Sequence, residues 1–243
     1  MKILLTNDDG YNAEGIRILL KKLKKYGDVF LVAPETHMSG ASMSRAFWDK
    51  IRVTKYEDNI YSVTGTPADS VVLALHGLNI RPDVVISGIN NGFNISSDTV
   101  YSGTIGACME AIKVGIPAIA FSSDYNDFSH AKRDLDYVMD FILKNDLLSD
   151  KYLLNVNFIR KSLRKTKGIQ ITDLGMRPME HFYQRDGDYY IAKRMHLNYE
   201  PEIGTDVFAV RNGYISITPL KFGNQTEYGL RELRTKVRKS EEK

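Results

Sequence analysis

Residues 1–35 constrain the fold more than any other stretch of the chain. Lys2 to Thr6 is a short apolar run that breaks into Asn7-Asp8-Asp9-Gly10, which reads as a buried strand ending in a polar turn. Ile16, Leu19, Leu20 and Leu23 then recur at helical spacing among Arg17, Lys21, Lys22 and Lys24. That spacing predicts an amphipathic helix from Glu14 to Tyr26, closed by Gly27. A second apolar run, Val29 to Ala33, stops at Pro34. Strand, helix and strand in so short a span form a βαβ unit, whose crossover joins parallel strands with a right-handed connection.

The alternation continues downstream. Glu35 to Arg45 reads as a loop at the carboxyl end of the second strand, and Lys50 to Val63 as a hairpin pair. Pro67 suits the first turn of a helix carrying Val71, Val72, Leu75 and Leu78, followed by a strand from Asp83 to Ile86. Gly88 to Tyr101 reads as a long polar loop, Ser102 to Val114 as a small-residue helix and Pro117 to Phe121 as another strand. A helix through Leu135, Val138, Met139 and Ile142 and a strand from Tyr152 to Val156 complete an α/β, doubly wound, mostly parallel sheet. The expected α/β catalytic core is 1–158. Beyond it the texture turns to β-prone pieces (Gly168 to Thr172, Asp188 to Lys193, Tyr214 to Pro219) and a final charged helix. This C-terminal β-rich and helical extension, 159–243, is read as integral to a single domain.

Composition excludes several classes. With 43% hydrophobic and 26% charged residues in 243, the chain can bury a core and is neither disordered nor fibrous. A net charge of +3 predicts neither a nucleic-acid nor a membrane partner, and the basic tail Arg231 to Lys243 is interleaved with Glu232, Glu241 and Glu242. Cys108 is the single cysteine, so no internal disulfide is possible, and the N-terminal apolar run is too short for a signal peptide or a membrane span. A cytoplasmic location is the default expectation.

Chemistry collects at the strand ends. Asp8 and Asp9 are adjacent carboxylates, which repel unless a cation or a proton relieves them; alone, they also fit a hydrated turn or a helix N-cap. In a doubly wound sheet ligands bind beyond the carboxyl ends of strands, where Ser39-Gly40 and Gly88-Ile89-Asn90 also fall. Carboxylate, hydroxyl and amide oxygens without zinc-type Cys or His spacing describe a hard site, suited to Mg²⁺ or Mn²⁺. Tyr101-Ser102-Gly103-Thr104 opens a helix whose free N–H groups, glycine and hydroxyls make an anion cradle, although Ser102 as a plain helix cap is the structural alternative. Gly65-Thr66-Pro67-Ala68-Asp69 reads as a capped helix start rather than a catalytic element. His37 lies in the Ser39 loop and is a candidate proton donor.

Together these residues resemble the SurE family, the stationary-phase survival proteins that act as 5′/3′-nucleotidases. The blocks Ile3-Leu4-Leu5-Thr6-Asn7-Asp8-Asp9-Gly10, Ser39-Gly40-Ala41-Ser42, Gly65-Thr66-Pro67-Ala68-Asp69, Ser87-Gly88-Ile89-Asn90 and Tyr101-Ser102-Gly103-Thr104 stand in family order. The resemblance continues through Gly115-Ile116-Pro117-Ala118, Asn155-Val156-Asn157 and Gly204-Thr205-Asp206 to Ile215-Ser216-Ile217-Thr218-Pro219-Leu220. It implies a Rossmann-like core and one divalent ion per subunit held by Asp8, Asp9, Ser39 and Asn90. It also implies that Asn94, Ser102, Gly103 and Thr104 face the phosphate, and that the extension exchanges elements between subunits of a homodimer or homotetramer. Arg45-Ala46-Phe47 departs from the usual Ser-Leu-Thr, and Phe47 and Trp48 enlarge the side chains beside the Ser39 loop.

The expected function is therefore a metal-dependent 5′-nucleotidase that releases phosphate from nucleoside 5′-monophosphates, with 3′-monophosphates as a second candidate substrate and Asp8 and Asp9 catalytic. Attack by a metal-activated water and attack by Asp8 to give an aspartyl-phosphate both remain open. The alternative is a non-catalytic, metal-dependent nucleotide-binding protein on the same α/β switch point. A third reading, nucleic-acid binding through the basic C-terminal helix, predicts affinity that falls steeply with salt.

Overall fold

The computed structural model describes residues 1–221. β1 (Lys2–Thr6), α1 (Glu14–Leu23) and β2 (Asp28–Pro34) form the opening unit, with β1 and β2 parallel in the register Ile3 opposite Val29. The helix stops at Leu23 instead of continuing to Tyr26, because residues 24–26 turn the chain back so that Asp28 N can donate to Met1 O. β3 (Val53–Glu57) and β4 (Ile60–Val63) pair antiparallel, and β4 lies parallel to β2.

α2 (Pro67–His76) starts with a capping box in which the Thr66 side chain accepts from Asp69 N and Asp69 accepts from Thr66 N. β5 (Val84–Asn91), α3 (Gly103–Lys113), β6 (Ala118–Ser123), α4 (Ser129–Lys144) and β7 (Leu153–Asn157) follow. The polar stretch expected to be loop from Gly88 onward is therefore partly strand. β5 runs to Asn91 past a register shift between Ser87 and Asn90, where Gly88 adopts a φ of +127° and a Cβ would lie 2.3 Å from Phe121 O. Only glycine fits that bulge. The polar residues mislead because they sit where the strand frays towards the site.

β8 (Gly168–Ile171), β9 (Met179–Asp186), β10 (Tyr189–His196), α5 (Asp206–Asn212) and β11 (Tyr214–Leu220) complete the described elements. The main sheet has nine strands in the order β3-β4-β2-β1-β5-β6-β7-β11-β8. The pairs from β4 to β7 are all parallel, and β11 then joins β7 antiparallel. Sequence past 158 thus contributes two strands to the central sheet. β9 and β10 form a separate hairpin whose Phe182, Tyr183, Tyr189 and Tyr190 are exposed. The expected final helix, with Tyr228, Leu230 and Leu233, lies outside the described residues.

Two apolar cores flank the sheet. Ile3 and Leu5 of β1 point to the side packed by Ile16 and Leu19 of α1 and Leu135 and Val138 of α4; Leu4 points to the side packed by Val71 of α2 and Cys108 of α3. This period-2 division explains why β1 is apolar on both faces and sits in the middle. Each fully buried leucine or isoleucine contributes roughly 1.5–3 kcal/mol. The strand order reverses direction between β1 and β5, and the crevice beyond their carboxyl ends is where a doubly wound sheet places its ligand site.

Candidate metal and phosphate site

Asp8 stands two residues past the end of β1 and is almost completely buried. Its Oδ1 accepts a 2.5 Å hydrogen bond from Thr104 Oγ1, and its backbone carbonyl accepts from Met38 N at 2.7 Å. Burial pushes its carboxyl up to about 6, the Thr104 hydrogen bond opposes that rise, and the neighbouring Asp9 charge adds to it. Asp9 points to the other side of the strand end, where its Oδ2 accepts from Asn91 N at 3.1 Å and its Oδ1 lies 3.2 Å from His37 Nδ1. The candidate proton donor thus sits against one of the two carboxylates.

Ser39 is exposed on the loop after β2, and Asn90 lies at the end of β5. Asn90 Nδ2 donates to Gly92 O at 2.9 Å, which leaves its Oδ1 without a donor among the described residues. Two cavities meet here, both lined by Ser39, Asn90 and Asn91. The smaller, about 220 Å³, also reaches Asp8, Asn94 and Ser102. The larger, about 510 Å³, reaches Asp9 and His37.

α3 aims its first turn at the smaller cavity. The Ser102 side chain caps the helix by accepting from Ile105 N; the backbone N–H of Gly103 has no acceptor among the described residues, and that of Thr104 is turned to the Asp8 carboxylate. Free N–H groups at a helix start favour an anion. Gly103 is required by its neighbour: a Cβ there would lie 2.9 Å from Asp8 Cβ and 3.1 Å from Asp8 Oδ2. The Thr104 side chain is fully buried and turned onto Asp8, as is its backbone N–H, so Thr104 acts on the site through that carboxylate.

The residues present fit a hard cation. The carboxylate of Asp8, pushed up to about 6 by burial, the neighbouring Asp9 carboxylate and the neutral oxygens of Ser39 and Asn90 offer oxygen donors alone. Among the described residues no three His, Cys, Asp or Glu side chains cluster as a metal site; Asp8 lines the smaller cavity and Asp9 the larger, and Ser39 and Asn90 line both. 

The family model "Survival protein SurE" matches residues 3–181. The chain belongs to the SurE family. Relatives of this SurE chain include the 5′-nucleotidase SurE of Haemophilus influenzae, 40% identical over 230 residues with 91% of each chain covered. That of Legionella pneumophila is 38% identical over 237 residues, covering 95% of this chain and 94% of its own. The crystal structure of the SurE protein from Aquifex aeolicus superposes with a TM-score of 0.80 at 34% identity, over 96% of this chain and 100% of that one.

Two supports of the SurE site were invisible as such in the sequence. Asn94 is held by a buried amide network: its N–H donates to Asn157 Oδ1 at 2.9 Å, and its carbonyl accepts from Asn155 Nδ2 at 2.7 Å and Asn157 Nδ2 at 3.1 Å. Its own Nδ2 donates to Ser122 Oγ at 2.9 Å. The Asn155-Val156-Asn157 block was legible as a family motif, and two amides on one face of a buried strand were its only physical signal. Asp206 is the second support. Its Oδ2 accepts from Ser96 N at 2.9 Å and its Oδ1 from Gly175 N and Val207 N, both at 2.8 Å, which staples the start of α5 to the segment following Asn94.

Proposed function

We propose that this protein is a divalent-metal-dependent phosphomonoesterase that hydrolyses nucleoside 5′-monophosphates to nucleoside and phosphate, and that 3′-monophosphates fit the same chemistry. The observation that carries the reading is the small cavity lined by Asp8, Asn90, Asn94 and Ser102, with the unpaired N–H of Gly103 at the start of α3 packed against Asp8. The names of its relatives supply the substrate class. Asp8, Asp9, Ser39 and Asn90 would hold one ion, Mg²⁺ or Mn²⁺, per subunit. Such an ion, when bound, supplies Lewis-acid polarisation of a phosphoryl oxygen and eases deprotonation of the attacking water.

The chain's own groups do the rest. The Gly103 N–H holds a phosphoryl oxygen and stabilises the charge that develops on it during transfer, while Thr104 fixes the Asp8 carboxylate. Asn94, locked by Asn155 and Asn157, forms the opposite wall. His37, 3.2 Å from Asp9, is the candidate donor of a proton to the leaving oxygen. The exposed aromatics of the β9–β10 hairpin support the reading that the extension joins subunits into a homodimer or homotetramer. No helix among the described residues is long and apolar enough to cross a membrane.

Phosphate release from a panel of nucleoside monophosphates with Mg²⁺, with Mn²⁺ and with excess chelator tests this, comparing native protein with Asp8→Asn. The expected result is release that needs the metal and is lost in the variant. No release under any condition, with nucleotide still bound, would establish a binding protein instead.

A further inference from the structure

The larger of the two cavities, on the Asp9 side, is lined by neither Asn94 nor Ser102. At about 510 Å³ it falls within the roughly 300–1,000 Å³ of small-molecule sites, whereas the 220 Å³ phosphate cavity is too small to take a whole nucleotide. Its outer wall is the loop between β6 and α4, which presents Tyr125, Asn126 and Phe128. The Tyr125 ring is 63% exposed and stacks on no aromatic neighbour among the described residues.

This loop is tied down at every residue. Asn126 N donates to Asn91 Oδ1 at 2.6 Å, and Asn91 Nδ2 donates back to Asn126 Oδ1 at 3.1 Å. Lys161 donates its backbone N–H to Asp124 Oδ2 at 2.9 Å and its ammonium to Tyr125 O at 3.0 Å. Ser123 Oγ donates to Asp127 O at 2.7 Å. Since Asn91 N also donates to Asp9 Oδ2, the loop is registered to the carboxylate pair itself. A ring held out to solvent on a backbone this constrained is a preformed face with low ordering cost for a flat ligand. Asn126 Nδ2 has no acceptor among the described residues, and Asn126 lines the same cavity as Tyr125.

Resting on the nucleotidase reading, we propose that this cavity is the nucleoside subsite, with the base stacked on Tyr125 and an acceptor atom on its edge facing Asn126 Nδ2. The shared residues Ser39, Asn90 and Asn91 let one substrate keep its phosphate at α3 and its base at Tyr125. Tyr125 is then a specificity-determining residue that acts on binding of the base and takes no part in phosphoryl transfer.

The test compares adenosine 5′-monophosphate with ribose 5-phosphate, which carries the same phosphate and sugar without the base. Stacking of a base on an aromatic ring is strong enough that Tyr125→Ala should raise KM for the nucleotide about 10-fold with kcat within about twofold, and leave ribose 5-phosphate unchanged. Tyr125→Phe should keep the native values. Calorimetric binding of the same nucleotide in the presence of Mn²⁺ should show the same weakening, so the comparison holds whether or not the protein turns substrate over. Equal losses on both substrates, no loss on either, or a base-selective loss in Tyr101→Ala instead, would overturn the proposal. Absence of hydrolysis by the native protein, with the Tyr125-dependent binding intact, would overturn the nucleotidase reading and leave the subsite standing.

Discussion

The Thr104 hydroxyl donates to Asp8 Oδ1 over 2.5 Å, and this joins the helix that offers an anion seat to the carboxylate that would hold the cation. The two halves of the site cannot drift apart without breaking a buried hydrogen bond. The same bond stabilises the ionised form of Asp8 against the burial that opposes it.

Thr104→Val keeps the branched shape and removes the donor. The Asp8 carboxyl should then rise further, so that a cation must displace a more tightly held proton. Mn²⁺ affinity measured calorimetrically should fall about 10-fold at pH 6 and less at pH 8, while stability drops by about 0.5–1.5 kcal/mol. Thr104→Ser should recover most of both. An affinity loss that is equal at the two pH values would show that the hydroxyl acts only through packing.

Asp8 also sets a pH dependence of stability in the metal-free protein. Its carboxyl rises from 3.8 to about 6 in the fold, so the folded state binds the proton more tightly than the unfolded chain. That contribution is fully present below about pH 3.8 and is lost as pH rises through 6. In chelator, the melting temperature of the native protein relative to Asp8→Asn should therefore fall between pH 4.5 and 7.5, on the order of several degrees. Added Mg²⁺ or Mn²⁺ should reverse the fall in the native protein alone, because an ion that binds only the folded state stabilises it. A difference that does not change with pH would mean Asp8 titrates as an ordinary carboxylate.

Gly103→Ala probes how closely α3 approaches Asp8. The new methyl would lie 2.9 Å from Asp8 Cβ and 3.1 Å from Pro67 Cγ, so helix or carboxylate must shift. Alanine's better helix propensity, worth about 1 kcal/mol, offsets part of the strain. Thermal stability should change little, while kcat should fall on the order of 100-fold, as small misplacements at a reacting centre do. Steady-state kinetics beside a melting curve separates the two effects; native kcat would show that the approach is slack.

Most of this could be read from local pattern. Ile3, Leu4 and Leu5 announce a central strand because they are apolar on both faces, and Asp8 and Asp9 stand immediately where such a strand must end. Ser102 and Gly103 carry the ordinary marks of a helix start. What escaped was non-local. Nothing near Asp206 in the chain indicates that its carboxylate reaches back 110 residues to Ser96, and nothing near Asn157 indicates that it holds Asn94. The β5 bulge was hidden for a different reason: its polar Asn90 and Asn91 have the composition of a loop but the pairing of a strand.

The buried amide pair makes the last prediction, because its two members are unequal. Asn157 both accepts from Asn94 N and donates to Asn94 O, whereas Asn155 donates to that same carbonyl and otherwise only accepts, at 3.4 Å, from Asn157 Nδ2. Asn155→Leu leaves the Asn94 carbonyl with Asn157 as partner. Asn157→Leu leaves the Asn94 N–H buried with no acceptor, and an unsatisfied buried donor costs about 1–3 kcal/mol. Denaturant unfolding should therefore rank Asn157→Leu below Asn155→Leu, although both side chains are fully buried and of one type. Phosphate release should follow the same order, since Asn94 walls the phosphate cavity. Equal losses would mean that volume, and not the unpaired Asn94 N–H, governs this strand.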